Sequence, residues 1–162
     1  MEEQKYKEYL EGTTKVLEES RKENIPYIVE ILNKKFVVFP NVFSPKYFSD
    51  TEIFAEAIKI RNGEEFLEIG PGTGILTKLL SEKVRRVIAI EKDQKMIEIL
   101  RKTLSEFENI EILHGDALKF DIQALAGKDR LRVVGNLPYN ISTPLIFHLL
   151  SQQGGIADMH FM

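Results

Sequence analysis

From Glu65 onward, short apolar runs alternate with stretches whose apolar residues recur at helical spacing. The runs Glu65–Ile69, Arg86–Glu91, Ile110–His114 and Leu131–Gly135 predict strands. The stretches Ile75–Glu82, Gln94–Glu106, Ile122–Ala126 and Pro144–Ser151 predict helices, and a last apolar run covers Ile156–Met162. Strands that alternate with helices require right-handed crossovers, hence an α/β fold with a parallel sheet and helices on both faces. Upstream the pattern is less regular. Residues 2–23 place Tyr6, Tyr9, Leu10 and Leu17 at helical spacing among lysines and glutamates, which predicts an amphipathic helix with a solvated charged face. Pro26 interrupts it, Ile25–Leu32 reads as a short helix, and Lys35–Phe39 as a strand stopped by Pro40. After the loop Asn41–Phe48, Ser49-Asp50-Thr51-Glu52 has the form of a capping box opening a helix over Glu52–Lys59.

Composition narrows the chemistry. The 162 residues have room for one domain with a proper core, and an apolar share of 43% is ordinary for a soluble globular protein. No cysteine is present, which excludes disulfides, thiolate metal sites and a cysteine nucleophile. No apolar run approaches the roughly 18 residues that span a bilayer, and the lysine-rich start lacks the apolar core of a secretory signal, so a cytoplasmic protein without membrane contact is expected. A net charge of −3 leaves the partner undecided.

Two motifs carry the functional reading. Glu68-Ile69-Gly70-Pro71-Gly72-Thr73-Gly74 follows the first strand of the regular region, where missing side chains let the backbone approach a ligand and turn sharply into a helix. Glu91 ends the second strand about 20 residues later, the spacing at which a carboxylate grips ribose hydroxyls. Asp116, in Gly115-Asp116-Ala117, follows the third strand and can accept from an adenine amino group. These strand ends present a nucleoside-shaped set. Singly, Asp93, Asp121 and Glu82 read as caps or surface charges. The order Gly-x-Gly-x-Gly with an acid just ahead fits S-adenosylmethionine better than NAD, whose pyrophosphate would be repelled by that acid. Asn136-Leu137-Pro138-Tyr139, after the fourth strand, offers a carboxamide oxygen, backbone carbonyls and an aromatic face to a planar amine. Together the motifs read as an N-methyltransferase.

The residues from about Glu65 to the end resemble the amino-terminal half of the ribosomal RNA adenine N6,N6-dimethyltransferases. The likeness rests on the Glu68–Gly74 turn, Val87–Glu91, Gly115-Asp116-Ala117 and Val134–Pro144. It implies a Rossmann-like class I methyltransferase fold that uses S-adenosylmethionine to dimethylate adenines of small-subunit ribosomal RNA, with the small ribosomal subunit as partner. Carried over, Glu68, Gly70, Gly72, Gly74, Glu91, Asp116, Ala117 and Asn136 would bind the cofactor. Asn136, Leu137, Pro138 and Tyr139 would hold the target base and act in catalysis.

Two departures modify this expectation. Residues 1–64 look more like another class I small-domain methyltransferase, so a hybrid chain is one reading. The usual carboxyl-terminal β-hairpin and helical RNA-gripping domain are not seen after the last strand, so a truncated core is another. The expected organisation is an N-terminal helical segment and approach loop over residues 1–50 and a methyltransferase core over 51–162. Self-association through the Ile156–Met162 edge strand is expected. Three functions stay open: adenine N6-methylation of ribosomal RNA, N-methylation of a protein or small molecule, and a non-catalytic module that keeps the cofactor pocket.

Overall fold

The computed structural model describes residues 25–31, 34–38, 54, 56–137 and 139–162. The helix expected over residues 2–23, the loop 41–48 and the 49–52 capping box lie outside them. The chain divides into two compact units, Met1–Glu52 and Ile53–Met162.

In the first unit, β1 (Tyr27–Ile31) and β2 (Lys34–Val38) form an antiparallel pair with Val29 opposite Phe36. The helix expected over Ile25–Leu32 is therefore a strand. Four of the five residues in Tyr27-Ile28-Val29-Glu30-Ile31 are β-branched or aromatic, and Ile28 is exposed while Val29 is buried, the alternation of a half-covered strand.

The second unit holds five parallel strands in the order β5-β4-β3-β6-β7: β3 (Glu65–Ile69), β4 (Arg86–Glu91), β5 (Ile110–His114), β6 (Leu131–Gly135) and β7 (Ile156–Phe161). The chain runs outward from β3 through β4 to β5, then returns to the other side of β3 for β6 and β7. That reversal opens a crevice at the carboxyl ends of β3 and β6, where open α/β sheets bind ligands. The helices α1 (Ile75–Ser81) and α2 (Gln94–Thr103) pack on β4 and β5. The helices α3 (Ile122–Ala126) and α4 (Tyr139–Leu150) supply Ile122, Leu145 and Leu149 to a core with Leu67, Ile69, Ile88, Ile90, Leu131 and Val133. The alternate strand residues Phe66, Val87, Ala89 and Val134 point the other way and are also fully buried, so helices cover both faces. The fold is a doubly wound, Rossmann-like α/β sheet.

Arg132 interrupts the apolar run of β6 yet is only 8% exposed. Its Nε donates to Asp158 Oδ1 at 2.9 Å on β7, and its Nη1 to Glu64 Oε2 at 2.9 Å and the Lys59 carbonyl at 2.6 Å. Its guanidinium lies 5.1 Å from the Phe66 ring centroid on β3. A buried cation survives only with such partners, and here they bind β6 to β7 and to the approach to β3.

Two boundaries differ from expectation by three residues or more. Ser142-Thr143-Pro144 has the composition of a helix start, but α4 begins at Tyr139 and runs through Pro144. Tyr139 is thus the first helical residue. The second helix ends at Thr103, three residues before Glu106, with the backbone N–H of Leu104 closing on the Leu100 carbonyl. β7 pairs with β6, and its outer edge has no partner strand among the described residues. No described helix is long and apolar enough to cross a membrane.

Candidate active site

The glycine turn joins β3 to α1. Gly70, Gly72 and Gly74 all have positive φ (70°, 56° and 84°), which other residues adopt only at a steric cost. Their roles separate. A Cβ on Gly70 or Gly72 would meet nothing within 4 Å, so these two leave open space for a ligand. A Cβ on Gly74 would stand 2.8 Å from Leu100 Cδ2 and 3.0 Å from Leu104 Cδ1 of the α2 segment, so Gly74 permits the close packing of α1 against it.

Glu91 closes β4 with its carboxylate held by three backbone amides. Oε1 accepts from Lys92 N at 2.8 Å and Asp93 N at 2.9 Å, and Oε2 from Gly72 N at 3.3 Å. The last bond fixes the acid against the glycine turn, and Glu91 is only 9% exposed. Asp116, after β5, accepts from Leu118 N at 3.1 Å, capping the short 3-10 turn Ala117–Lys119. Its Oδ2 also meets Lys92 Nζ at 2.9 Å. The Lys92 ammonium and the Leu118 amide hold the Asp116 carboxyl below the usual carboxylate range. Ala117, which is buried, follows directly. Asp93 and Asp121 cap α2 and α3, accepting from Lys95 N at 2.7 Å and Ala124 N at 2.9 Å, the structural role expected of them.

Glu68 behaves differently. It lies on β3 with 3% exposure, and its Oε2 has no hydrogen-bond partner; neither does the buried Thr77 Oγ1 of α1. Burial pushes its carboxyl up to about 7, opposed by the neighbouring Thr77 hydroxyl and reinforced by the Glu91 charge.

Across the switch point, Asn136 is exposed at the end of β6. Leu137 turns inward to the core, and its N–H donates to the Met162 carbonyl at 3.0 Å, while Met162 N donates to the Gly135 carbonyl at 3.2 Å. The turn is thereby tied to the end of β7. Pro138 lies outside the described residues. Gly135, Lys92 and Thr77 had no assigned part in the sequence reading. A Cβ on Gly135 would stand 2.7 Å from the Ile69 carbonyl oxygen, so its glycine lets β6 lie against β3 directly below Asn136. A glycine ending a buried strand just ahead of a polar turn is the signal that marks it.

The structure thus brings Glu68, the glycine turn, Glu91, Asp116 and Asn136 to the carboxyl ends of β3, β4, β5 and β6. A cavity of about 680 Å³ lies instead at the amino ends of the strands, lined by Glu64, Arg85, Arg132 and Asp158 among others. Two of its arginines are already engaged in a structural network, Arg85 by Glu65 and Asp129 and Arg132 by Glu64 and Asp158. Among the described residues no group of three or more metal-ligating side chains clusters.

A family model for ribosomal RNA adenine dimethylases matches residues 41–162. The chain belongs to that family. The match takes in residues 41–64, which sequence reading had set apart, and leaves residues 1–40 outside it. The chain is 44% identical over 128 residues to a ribosomal RNA small subunit methyltransferase A of Chromohalobacter salexigens, covering 74% of this chain and 45% of the relative. It is 51% identical over 107 residues to the enzyme of that name in Pseudomonas putida, covering 65% and 40%. The chain therefore spans less than half the length of these relatives. Among solved structures, a dimethyladenosine transferase from Plasmodium falciparum is 32% identical, with a TM-score of 0.56 over 73% of this chain and 42% of that one. The 23S rRNA methyltransferase ErmE is 28% identical, with a TM-score of 0.60 over 70% and 46%.

Proposed function

We propose that this chain carries the cofactor-binding and base-accepting core of an S-adenosylmethionine-dependent adenine N6-methyltransferase that acts on small-subunit ribosomal RNA. One observation carries the reading: the open glycine turn, two acids at successive strand ends and an exposed carboxamide meet at one crevice across the switch point. The residues fit the cofactor. Gly70 and Gly72 leave backbone open to it, the orphaned buried carboxyl of Glu68 suits a cationic group, and Glu91 and Asp116 supply acceptors for a ribose and an adenine amine. The acidic surroundings would repel a pyrophosphate, which argues against a dinucleotide. S-adenosylmethionine supplies a methyl group on a sulfonium, an electrophile that needs no metal.

The protein's task is to present the amine. An adenine amino group has its lone pair spread into the ring, so acceptors must draw its hydrogens as the nitrogen becomes tetrahedral. Asn136 supplies a side-chain oxygen at the end of β6, and the Leu137 backbone supplies a carbonyl. Tyr139 is the residue assigned to offer an aromatic face to a base turned out of its stack, worth roughly 1 to 3 kcal/mol. No strong base is required, because the proton becomes acidic once the methyl is attached.

Two substitutions divide the roles. Glu91→Ala should weaken S-adenosylmethionine binding by about 2 kcal/mol, the loss of charge-assisted bonds to the ribose, and titration calorimetry reads it. Unchanged affinity would remove Glu91 from the site. Asn136→Ala should leave affinity near that of the parent and abolish labelled-methyl transfer to immature small subunits. A matching fall in cofactor affinity and thermal stability would make this turn a structural feature.

A further inference from the structure

We propose that Glu68, with Thr77 beside it beneath the glycine turn, is a proton-exchanging counter-charge: protonated in the ligand-free chain, it ionises when a cationic ligand enters and releases its proton to solvent. The inference rests on the cofactor reading above and adds a linkage to it.

The geometry leaves few alternatives for this acid. Glu68 Oε2 and Thr77 Oγ1 are both fully enclosed and neither has a partner. A buried orphan of this kind costs about 1 to 3 kcal/mol, and more for a charge, so the carboxyl is held neutral until something compensates it. The described surroundings supply no compensating cation. In register on either side stand Ala89 of β4 and Val134 of β6. The nearby charge at the end of β4 is Glu91, which is bonded to backbone amides and is of the same sign. Arg132 on β6 is engaged by Glu64 and Asp158, and Lys92 by Asp116. Lys78 of α1 pairs at 3.6 Å with Glu106 and faces the Phe107 ring. At the start of α2, Asp93 and Lys95 are exposed, and their link is a cap.

A neutral acid beside the Glu91 carboxylate, with no cation of their own, disfavours an anion and suits a ligand that brings positive charge, such as an ammonium or a sulfonium. When that charge arrives, the O–H bond of Glu68 breaks, its electron pair stays on the carboxylate and the proton passes to buffer. Burial has already brought this acid to about 7, where the exchange is measurable at neutral pH.

The test is calorimetric titration of the whole chain with S-adenosylmethionine in buffers of different ionisation enthalpy. At pH 7 the parent should release about half a proton per ligand bound, and its affinity should be about tenfold weaker at pH 6 than at pH 8 once compared with Glu68→Gln. That variant should show no such release. It also cancels the ligand's own amino group, which titrates near the upper end of this range. Where Glu68→Gln does not fold, the carbon-13 signal of the Glu68 carboxyl in the labelled parent serves instead, its titration midpoint falling by at least one pH unit when ligand is added. Binding with identical heats in all buffers, or a midpoint unmoved by ligand, overturns the linkage and leaves the cofactor reading standing. A folded parent that does not bind S-adenosylmethionine overturns both.

Discussion

Replacing Glu68 by Gln should stabilise the ligand-free fold progressively as the pH rises. The unfolded chain gives up this proton near 4.5, whereas the folded chain keeps it to about 7. Between those values the folded state binds more protons than the unfolded state, so its stability falls as pH rises through that window. The favourable contribution of the protonated acid is complete below 4.5 and lost above 7. Glutamine keeps the shape and cannot ionise. The variant should therefore gain about 3 kcal/mol relative to the parent between pH 4.5 and pH 8, on top of a constant offset for the buried amide. Urea unfolding of both chains at a series of pH values measures the gain. A difference that does not change with pH would mean that Glu68 titrates normally.

A residue expected to lower stability at neutral pH yet set under the glycine turn proposed to take the cofactor is the pattern expected where function opposes stability. The same opposition explains what sequence could and could not disclose. The strands β3 to β6 were legible because a parallel sheet covered on both faces needs continuous apolar runs, and Phe66-Leu67, Val87–Ile90 and Val133-Val134 are such runs. Glu91 and Asp116 were legible because strand ends in this topology converge, so spacing alone places both at one edge. Arg132 was opaque: its burial depends on Glu64 and Asp158, far away in sequence, and a lone charge inside an apolar run carries no sign of them. Lys92 likewise discloses nothing of its tie to Asp116 until β4 and β5 lie side by side.

Local patterns failed where two elements share a vocabulary. A short apolar stretch such as Ile25–Leu32 suits one helical turn or one strand, and only pairing with β2 decides it. Pro144 reads as a helix start because it lacks the N–H that a first turn does not need, but α4 has already begun at Tyr139 and tolerates the missing bond inside. That earlier start matters for the site. It places Tyr139 in α4, three residues after Asn136 at the end of β6.

The Gly135→Ala substitution should have a large effect through a single methyl group. The new Cβ would stand 2.7 Å from the Ile69 carbonyl oxygen and 3.2 Å from Leu137 Cδ2. The first neighbour is backbone of the central strand and cannot swing aside, so β6 must move away from β3 at the carboxyl end of both. Overpacking of a well-filled interior costs typically 1 to 3 kcal/mol, and a clash with backbone belongs at the upper end, about 3 kcal/mol. The strain falls where Gly135 accepts from Met162 N and where Asn136 leaves the sheet. Loss of methyl transfer should therefore exceed loss of cofactor affinity, because Glu91 and Asp116 follow β4 and β5, on the far side of β3 from the disturbance. Chemical unfolding, calorimetric titration and labelled-methyl transfer on the same preparation separate the three quantities. A stable variant with parental transfer would show that the β3–β6 spacing is slack, and with it the positioning of Asn136.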